Sequence, residues 1–300
     1  MSDFLQQMAA SSRERLQAAK RKVSEAALLQ QALATLPPPA LVPNAARFDL
    51  IAELKLRSPA LGQLKSSDED VNARVTAYAK AGAAAVSVLT EPSRFDGSME
   101  HLEAAAKSIA PLRVPAMRKD FLVDPYQVIE ARAAGAGGVL VILRMLSPEG
   151  IEALLSCARD LGMFVLLEAF DEADLQAMHD IVGARASPGA GPTNAAGLAP
   201  VLAGLNCRDL TTLQIVPKRL TELAHLLPTN VPRVAESGVV SPDDAARVAA
   251  AGYDYALVGS ALMQGGDPHA LAAALLKAGR QNAATRPSSA TSGSANHERA

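Results

Sequence analysis

Short apolar runs alternating with capped helical segments constrain this chain more than any other feature. The runs are Asp49 to Lys55, Ala85 to Thr90, Pro115 to Lys119, Gly138 to Arg144, Phe164 to Ala169, Val201 to Asn206, Arg233 to Glu236, and Tyr255 to Gly259. Several are apolar at almost every position, as strands buried on both faces of a parallel sheet are. Helix starts fall between them: Ser67 before "DEDV", Ser147 before Pro148, Asp171 before "EADL", and Ser241 with Asp244 placed as a capping-box acid. Eight strand-then-helix units in series predict an α/β fold, a single (β/α)8 TIM barrel. A doubly wound sheet usually has fewer units, and its dinucleotide-binding form needs a GxGxxG turn that is absent after the first run. The 300-residue length fits, because such barrels commonly run to roughly 250 residues as one domain.

The flanks read differently. Apolar positions at Phe4, Leu5, Met8, Leu16, Ala19 and Val23 predict helix from Ser2 to Thr35, with no breaker before the Pro-rich "LPPPALVPN". Residues 1–45 are therefore an N-terminal helical extension with its connector, and 46–279 the barrel. Residues 280–300 are Ser, Ala and Asn rich without apolar periodicity, the composition of a disordered tail. Gly183 to Leu198, "GARASPGAGPTNAAGL", reads as an inserted surface loop, on the face opposite a barrel's active site.

Composition excludes several function classes. The 29 basic and 31 acidic residues leave a formal net charge of -2, and no stripe of Lys and Arg alternates with aromatics, so no nucleic-acid partner is expected. Lys20, Arg21 and Lys22 lie at helical spacing among Gln, Ala and Glu and read as a solvated face. Two cysteines, Cys157 and Cys207, form neither a disulfide framework nor a metal pair, which fits a reducing cytoplasm; Cys207 reads as the filler of a small apolar gap. The N-terminus lacks a signal-peptide pattern and no apolar run approaches a membrane span. The five His are scattered, without HxxxH or HxH spacing, so no metal site is expected.

What remains is the polar residues at the strand ends. Glu53 and Lys55 sit two apart in "FDLIAELKLRSP" and so face the same way, inside an otherwise apolar run. Two charges buried there are costly unless they have partners or a task. The third run ends in Lys119, the fifth in Glu168, the sixth in Asn206 with Arg208 beyond, the seventh in Glu236. In a barrel the C-terminal strand ends converge on the active site, so these residues meet in one mouth. Opposed charges at close range separate pKa values, which lets a protonated Lys act as acid beside an ionised Glu as base. Ser237 and Gly238 follow the seventh run, and Gly259 and Ser260 the eighth, where such barrels hold phosphate.

In order along the chain, "IAELKLRSP", "SVLTEPSRFDGS", "MRKDFLVDPYQVIEARAAGA", "LLEAFDEADL", "GLNCRDLTTL", "VAESGV" and "ALVGSALM" resemble the indole-3-glycerol phosphate synthase family, and the N-terminal helix is similar to that family's extra helix. The resemblance implies ring closure of 1-(2-carboxyphenylamino)-1-deoxyribulose 5-phosphate with loss of carbon dioxide and water, in tryptophan biosynthesis. It implies a catalytic set of Lys119 as general acid, Glu168 as general base in the dehydration, and Glu53, Lys55, Asn206 and Glu236 around them, with Lys55 a candidate second acid. Ser58 and Arg208 match positions at the substrate carboxylate, Phe121 and Leu257 positions at its aromatic ring, and Ser237, Gly238, Gly259 and Ser260 positions at its phosphate. No cofactor is implied.

Two departures from the family pattern stand out. Leu56 occupies a position where Lys or another polar residue is common, and the 183–198 insertion leaves open the register of the sixth strand, and with it the pose of Asn206 and Arg208. Two other readings compete: a sister phosphate-binding barrel such as phosphoribosylanthranilate isomerase, and a barrel that binds a phosphate ligand without turnover. The expectation is a cytoplasmic monomer or weak dimer acting on a phosphorylated small molecule, with no nucleic-acid or membrane partner.

Overall fold

The computed structural model describes residues 3–42, 48–65, 69–185, 201–264 and 266–283. Eight parallel strands close a barrel: β1 (Asp49–Leu54), β2 (Ala85–Leu89), β3 (Ala116–Lys119), β4 (Gly138–Ile142), β5 (Phe164–Ala169), β6 (Val201–Asn206), β7 (Arg233–Glu236) and β8 (Tyr255–Val258). Each pairs with its neighbours in sequence, and β8 returns to β1. The expected fold is the observed one, and the expected strands differ from the observed ones by at most two residues at an end.

Period two decides which side chains fill the barrel. Ile51, Ala85, Met117, Leu140, Phe164, Leu166, Leu202, Val234, Tyr255 and Leu257 form one buried cluster inside it. The alternate positions, among them Leu50, Ala52, Val86, Val139, Leu167, Ala203, Ala235 and Val258, join a second cluster between strands and helices. Each fully buried Leu, Ile, Val or Phe contributes roughly 1.5–3 kcal/mol relative to exposure. An aliphatic core without Trp is enough because both faces of every strand are covered.

The outer layer follows local capping. Asp70 caps α3 (Val71–Lys80), Ser98 α4 (Met99–Ile109), Asp124 α5 (Pro125–Ala133), and Ser147 α6 (Pro148–Asp160). After β5 comes α7 (Glu172–Arg185), where Asp171 accepts the Asp174 backbone N–H. Ser241 and Asp244 form the expected capping box on α8 (Pro242–Ala250). Asp267 caps α9 (Pro268–Asn282). The start expected at Ser67 lies outside the described residues; the cap observed there is Asp70. Between β6 and β7 the chain forms only a four-residue helix, Arg219–Glu222, and a 3-10 turn, hemmed in by Pro217, Pro228 and Pro232.

Four expectations need correction. The N-terminal extension is not one helix: α1 (Asp3–Lys22) and α2 (Glu25–Ala34) are separated at Ser24, which is extended and accepts the Ala27 N–H, so a capping side chain breaks the helix where hydrophobic periodicity would continue it. Lys20 is not merely solvated, since it pairs with Asp124 at 2.9 Å and lies 5.5 Å from the Tyr126 ring centre. The expected tail begins inside α9, where Arg280 donates to Asp49 at 2.7 Å and to the Phe48 carbonyl at 3.2 Å. The expected loop from Gly183 overlaps the end of α7, and its remainder lies outside the described residues, as do 284–300.

The first helix lies over the barrel mouth. Leu5, Met8 and Ala9 of α1 join the interior cluster with Phe121, Met145 and Phe170 from the loops above the strands. Polar ties then fix it to the segment that follows β3: Arg15 to Asp120, Ser12 to Gln127, and Val23 to Tyr126. No helix among the described residues is long and apolar enough to cross a membrane.

Candidate active site

Period two, which sends the aliphatic residues inward, also sends the charges inward at the upper ends of the strands. Glu53, Lys119, Glu168, Asn206 and Glu236 continue the interior-facing series of β1, β3, β5, β6 and β7, and Lys55 and Arg208 extend it beyond two strand ends. The register of β6 is fixed from both sides, Glu168 opposite Gly204 and Asn206 opposite Glu236. All fourteen residues expected at the site line one cavity at the mouth: the six polar strand-end residues, Ser58, Phe121, Arg208 and Leu257, and the two pairs Ser237 with Gly238 and Gly259 with Ser260.

The charges are arranged in two groups. Lys55 Nζ lies 2.7 Å from Glu53, a direct ion pair. Lys119 Nζ is 3.5 Å from Glu168 and 3.7 Å from Glu236, so one ammonium straddles two carboxyls. Asn206 donates to Glu168 at 2.7 Å and accepts the Arg208 N–H at 2.9 Å, which couples the β5 carboxylate to the turn after β6. The Arg208 guanidinium donates to the Leu213 carbonyl at 2.8 Å and forms no ion pair with a carboxylate among the described residues.

Protonation follows from these contacts. Burial acts to lower the Lys119 ammonium's pKa, but Glu168, Glu236 and Glu53 outweigh it and hold the group above the ordinary lysine range. Burial likewise acts to raise Glu53, and Lys55 and Lys119 reverse that, so Glu53 is lowered. Glu236 goes the other way: burial and then the charge of Glu168 push it well above the usual carboxyl range. The mouth thus holds a charged acid and carboxyl groups of unlike character, as acid/base catalysis requires.

Glycines make room for these side chains. A Cβ on Gly204 would collide with Glu236 Oε1, and one on Gly259 would collide with Glu53 Oε1 and lie 3.1 Å from Lys55 Nζ. Ser237 and Gly238, just after β7, are both left-handed, at φ 65° and 72°. The pair stands in a loop ahead of the expected Ser241 cap of α8, which begins at Pro242. Cys207, fully buried, packs in the space a side chain at Gly238 would need, its Sγ 2.9 Å from the Cβ position.

The apolar wall is larger than the sequence suggests. Phe121 meets Phe4 edge-on at 5.9 Å and Phe95 at 6.1 Å between ring centres, and Leu140, Ile142 and Phe170 complete that side. Phe4 is visible in the sequence only as part of a helical apolar stripe, with nothing to say that the stripe ends over the mouth. Phe170 carries Arg144 on its ring at 4.8 Å, and Arg144 is held in turn by Asp174 at 2.8 Å and Asp171 at 2.5 Å. Leu56 is buried in the outer cluster and does not line the cavity.

A closed (β/α)8 barrel whose mouth gathers the charged strand-end residues against an apolar wall has the build of a barrel enzyme. The family model for indole-3-glycerol phosphate synthase matches residues 5–186 and 190–275. Indole-3-glycerol phosphate synthase of Parafrankia sp. is 40% identical over 265 residues, covering 87% of this chain and 91% of that protein. The enzyme of the same name from Nocardioides sp. is 40% identical over 258 residues, 85% and 91% of the two chains. Among solved structures, 3-hexulose-6-phosphate synthase from Salmonella typhimurium superposes with a TM-score of 0.56 at 13% identity, over 78% of this chain and all of that one, a likeness of fold alone. The chain belongs to the indole-3-glycerol phosphate synthase family, the carboxy-lyases of tryptophan biosynthesis.

Proposed function

We propose that the mouth residues carry out ring closure, decarboxylation and dehydration of 1-(2-carboxyphenylamino)-1-deoxyribulose 5-phosphate in the following roles. Lys119 protonates the substrate's carbonyl oxygen as the carboxylate-bearing ring carbon attacks it. Carbon dioxide then leaves and the ring regains aromaticity without any proton transfer. In the dehydration Glu168 removes a proton from the substrate and an acid delivers one to the departing hydroxyl. Lys55, paired with Glu53, stands beside the substrate's anionic groups; Arg208 and Ser58 take the carboxylate. Phe121 and Leu257, with Phe4 and Phe95, flank the aromatic ring, and the loops at Ser237, Gly238, Gly259 and Ser260 take the phosphate.

The observation that carries this reading is the Lys119 ammonium set between Glu168 and Glu236 in a cavity with an aromatic wall on one side. A barrel that only bound a phosphate ligand would need the β7 and β8 loops but not this acid/base group. Each positioned acid or base contributes on the order of 100- to 10,000-fold. Mixing the purified protein with the carboxyphenylamino substrate should give indole fluorescence; its absence with the unaltered protein overturns the reading. The two cysteines are unbonded, which supports work in a reducing cytoplasm, and the protein acts as a monomer or weak dimer, to be tested by sedimentation.

Gly259→Ala tests the fit around Glu53. The added methyl group displaces the Glu53 carboxylate from Lys55, and a shift on the order of 1 Å in a positioned group costs about 100-fold in rate. Steady-state kinetics should give kcat/KM about 10- to 100-fold lower with cooperative unfolding retained. Unchanged kinetics would mean that the Glu53 and Lys55 pair has no part in the reaction.

A further inference from the structure

Both carboxyl oxygens of Glu236 are buried and lack a hydrogen-bond partner among the described residues, although the side chain lines the cavity. The nearest cation, Lys119, is 3.7 Å from Oε2, a charge contact longer than a hydrogen bond. The position is built for this side chain, because Gly204 on the neighbouring strand leaves the space that Oε1 occupies. An ionised carboxylate with two unmatched oxygens is among the costliest groups to bury, whereas a neutral carboxyl costs far less. The groups facing it point the same way. From β1 come Glu53 and Lys55, already paired; from β3 Lys119; from β5 Glu168; from β6 Asn206 and, beyond it, Arg208; from β8 only Leu257. Lys119 lies closer to Glu168, which Asn206 also serves, and this leaves Glu236 without a counter-charge of its own.

The reaction creates a use for a stored proton. The substrate carboxylate leaves as neutral carbon dioxide, so one proton is consumed per turnover near neutral pH. Two protons go to substrate oxygens, one at ring closure and one as water departs, and only one returns, to Glu168. We propose that Glu236 rests as a neutral carboxylic acid and passes its proton to Lys119 between ring closure and dehydration, so that one ammonium serves both oxygen protonations. This rests on the proposed function above.

The protons balance at each step. Lys119 gives its first proton to the carbonyl oxygen and becomes a neutral amine beside a neutral carboxyl. The Glu236 O–H bond breaks, an N–H bond forms on Lys119, and Glu236 becomes a carboxylate. The renewed ammonium protonates the departing hydroxyl while Glu168 takes the proton lost from the substrate. Glu168 then returns that proton to Lys119, 3.5 Å away, and Glu236 takes one from solvent, the proton consumed overall. The raised proton affinity that burial and Glu168 give Glu236 agrees with the resting state.

The test separates the two halves of the reaction in single turnovers, following carbon dioxide release and indole fluorescence on the same sample. In Glu236→Gln, which keeps the shape but carries no transferable acid proton, indole formation should slow by about 100-fold while carbon dioxide release changes by less than about threefold. In the unaltered protein the indole step should slow as pH rises through the Glu236 titration, because the protonated form is the donor, and Glu236→Gln should lose that limb. Equal slowing of both signals, or no slowing of either, overturns the proposal and leaves Lys55 as the second acid. Infrared spectroscopy of the unaltered protein, with glutamate carrying carbon-13, gives a result that needs no variant: a protonated carboxyl band at neutral pH is expected, and its absence refutes the resting state. A protein that forms no indole at all would refute the function itself, which is a different outcome from any of these.

Discussion

Replacing Lys119 with Ala is expected to lower kcat by about 100- to 10,000-fold, the range for loss of one positioned acid. The proposed mechanism assigns the first proton transfer to this ammonium, and among the described residues no equivalent cation stands at its position: Lys55 is engaged by Glu53 at 2.7 Å, and Arg208 is tied to the Leu213 carbonyl. Removal also leaves Glu168 and Glu236 facing each other without the charge between them. Lys119→Arg keeps a positive charge but is a poor proton donor. Steady-state indole fluorescence should therefore find it nearly as impaired as Lys119→Ala. An unchanged rate in Lys119→Ala would remove the assignment of the acid, and a full rescue by Arg would reduce the role to charge alone.

Arg15→Ala is expected to destabilise the protein by about 3 kcal/mol, the lower end for breaking a buried pair from one side. Asp120 follows Lys119 directly, and its side chain is fully buried. It accepts two bonds from Arg15 at 2.8 Å each, one from Thr90 at 2.7 Å, one from Arg118 at 3.2 Å, and the Phe121 N–H at 2.8 Å. Without Arg15 the carboxylate keeps Arg118, which is why the cost stays at the lower end. Burial acts to raise the Asp120 carboxyl, but Arg15 and Arg118 outweigh it and hold it well below the usual carboxylate range. A carboxyl lowered in the folded state stabilises the fold above its unfolded pKa of about 3.9, and that contribution fades as pH falls below it. Urea unfolding should accordingly give the full difference near neutral pH and a smaller one near about pH 3. A loss under about 1 kcal/mol, or one independent of pH, would mean that the Arg15 contact is only a surface tie.

Much of the fold was legible because its signals are local. An apolar run buried on both faces, a Ser or Asp before a helix, and a Pro at the first helical turn each act within a few residues, so Phe164–Ala169, Val201–Asn206 and Arg233–Glu236 coincide with their expected bounds. The barrel rule then turned eight strand ends into one list of polar residues, and that list lines one cavity. What the list could not contain was the contribution of other layers. Phe4 belongs to a helix some 115 residues before Phe121, and its meeting with that ring depends on how α1 crosses the mouth. Ser24 shows the opposite failure: a local capping signal was present, but the apolar periodicity on both sides hid it.

The sequence by itself determined the repeating unit, the face to which each strand residue points, and which side chains crowd the upper ends of the strands, because alternation along a strand and capping of a helix are properties of the local chain. Only the tertiary structure decided how those charges divide. Glu53 with Lys55, and Glu168 with Asn206, are satisfied, while Glu236 is left with two unmatched oxygens. Charges across a barrel interact through distance and burial, which closure of the barrel sets to within an ångström and which no spacing along the chain records.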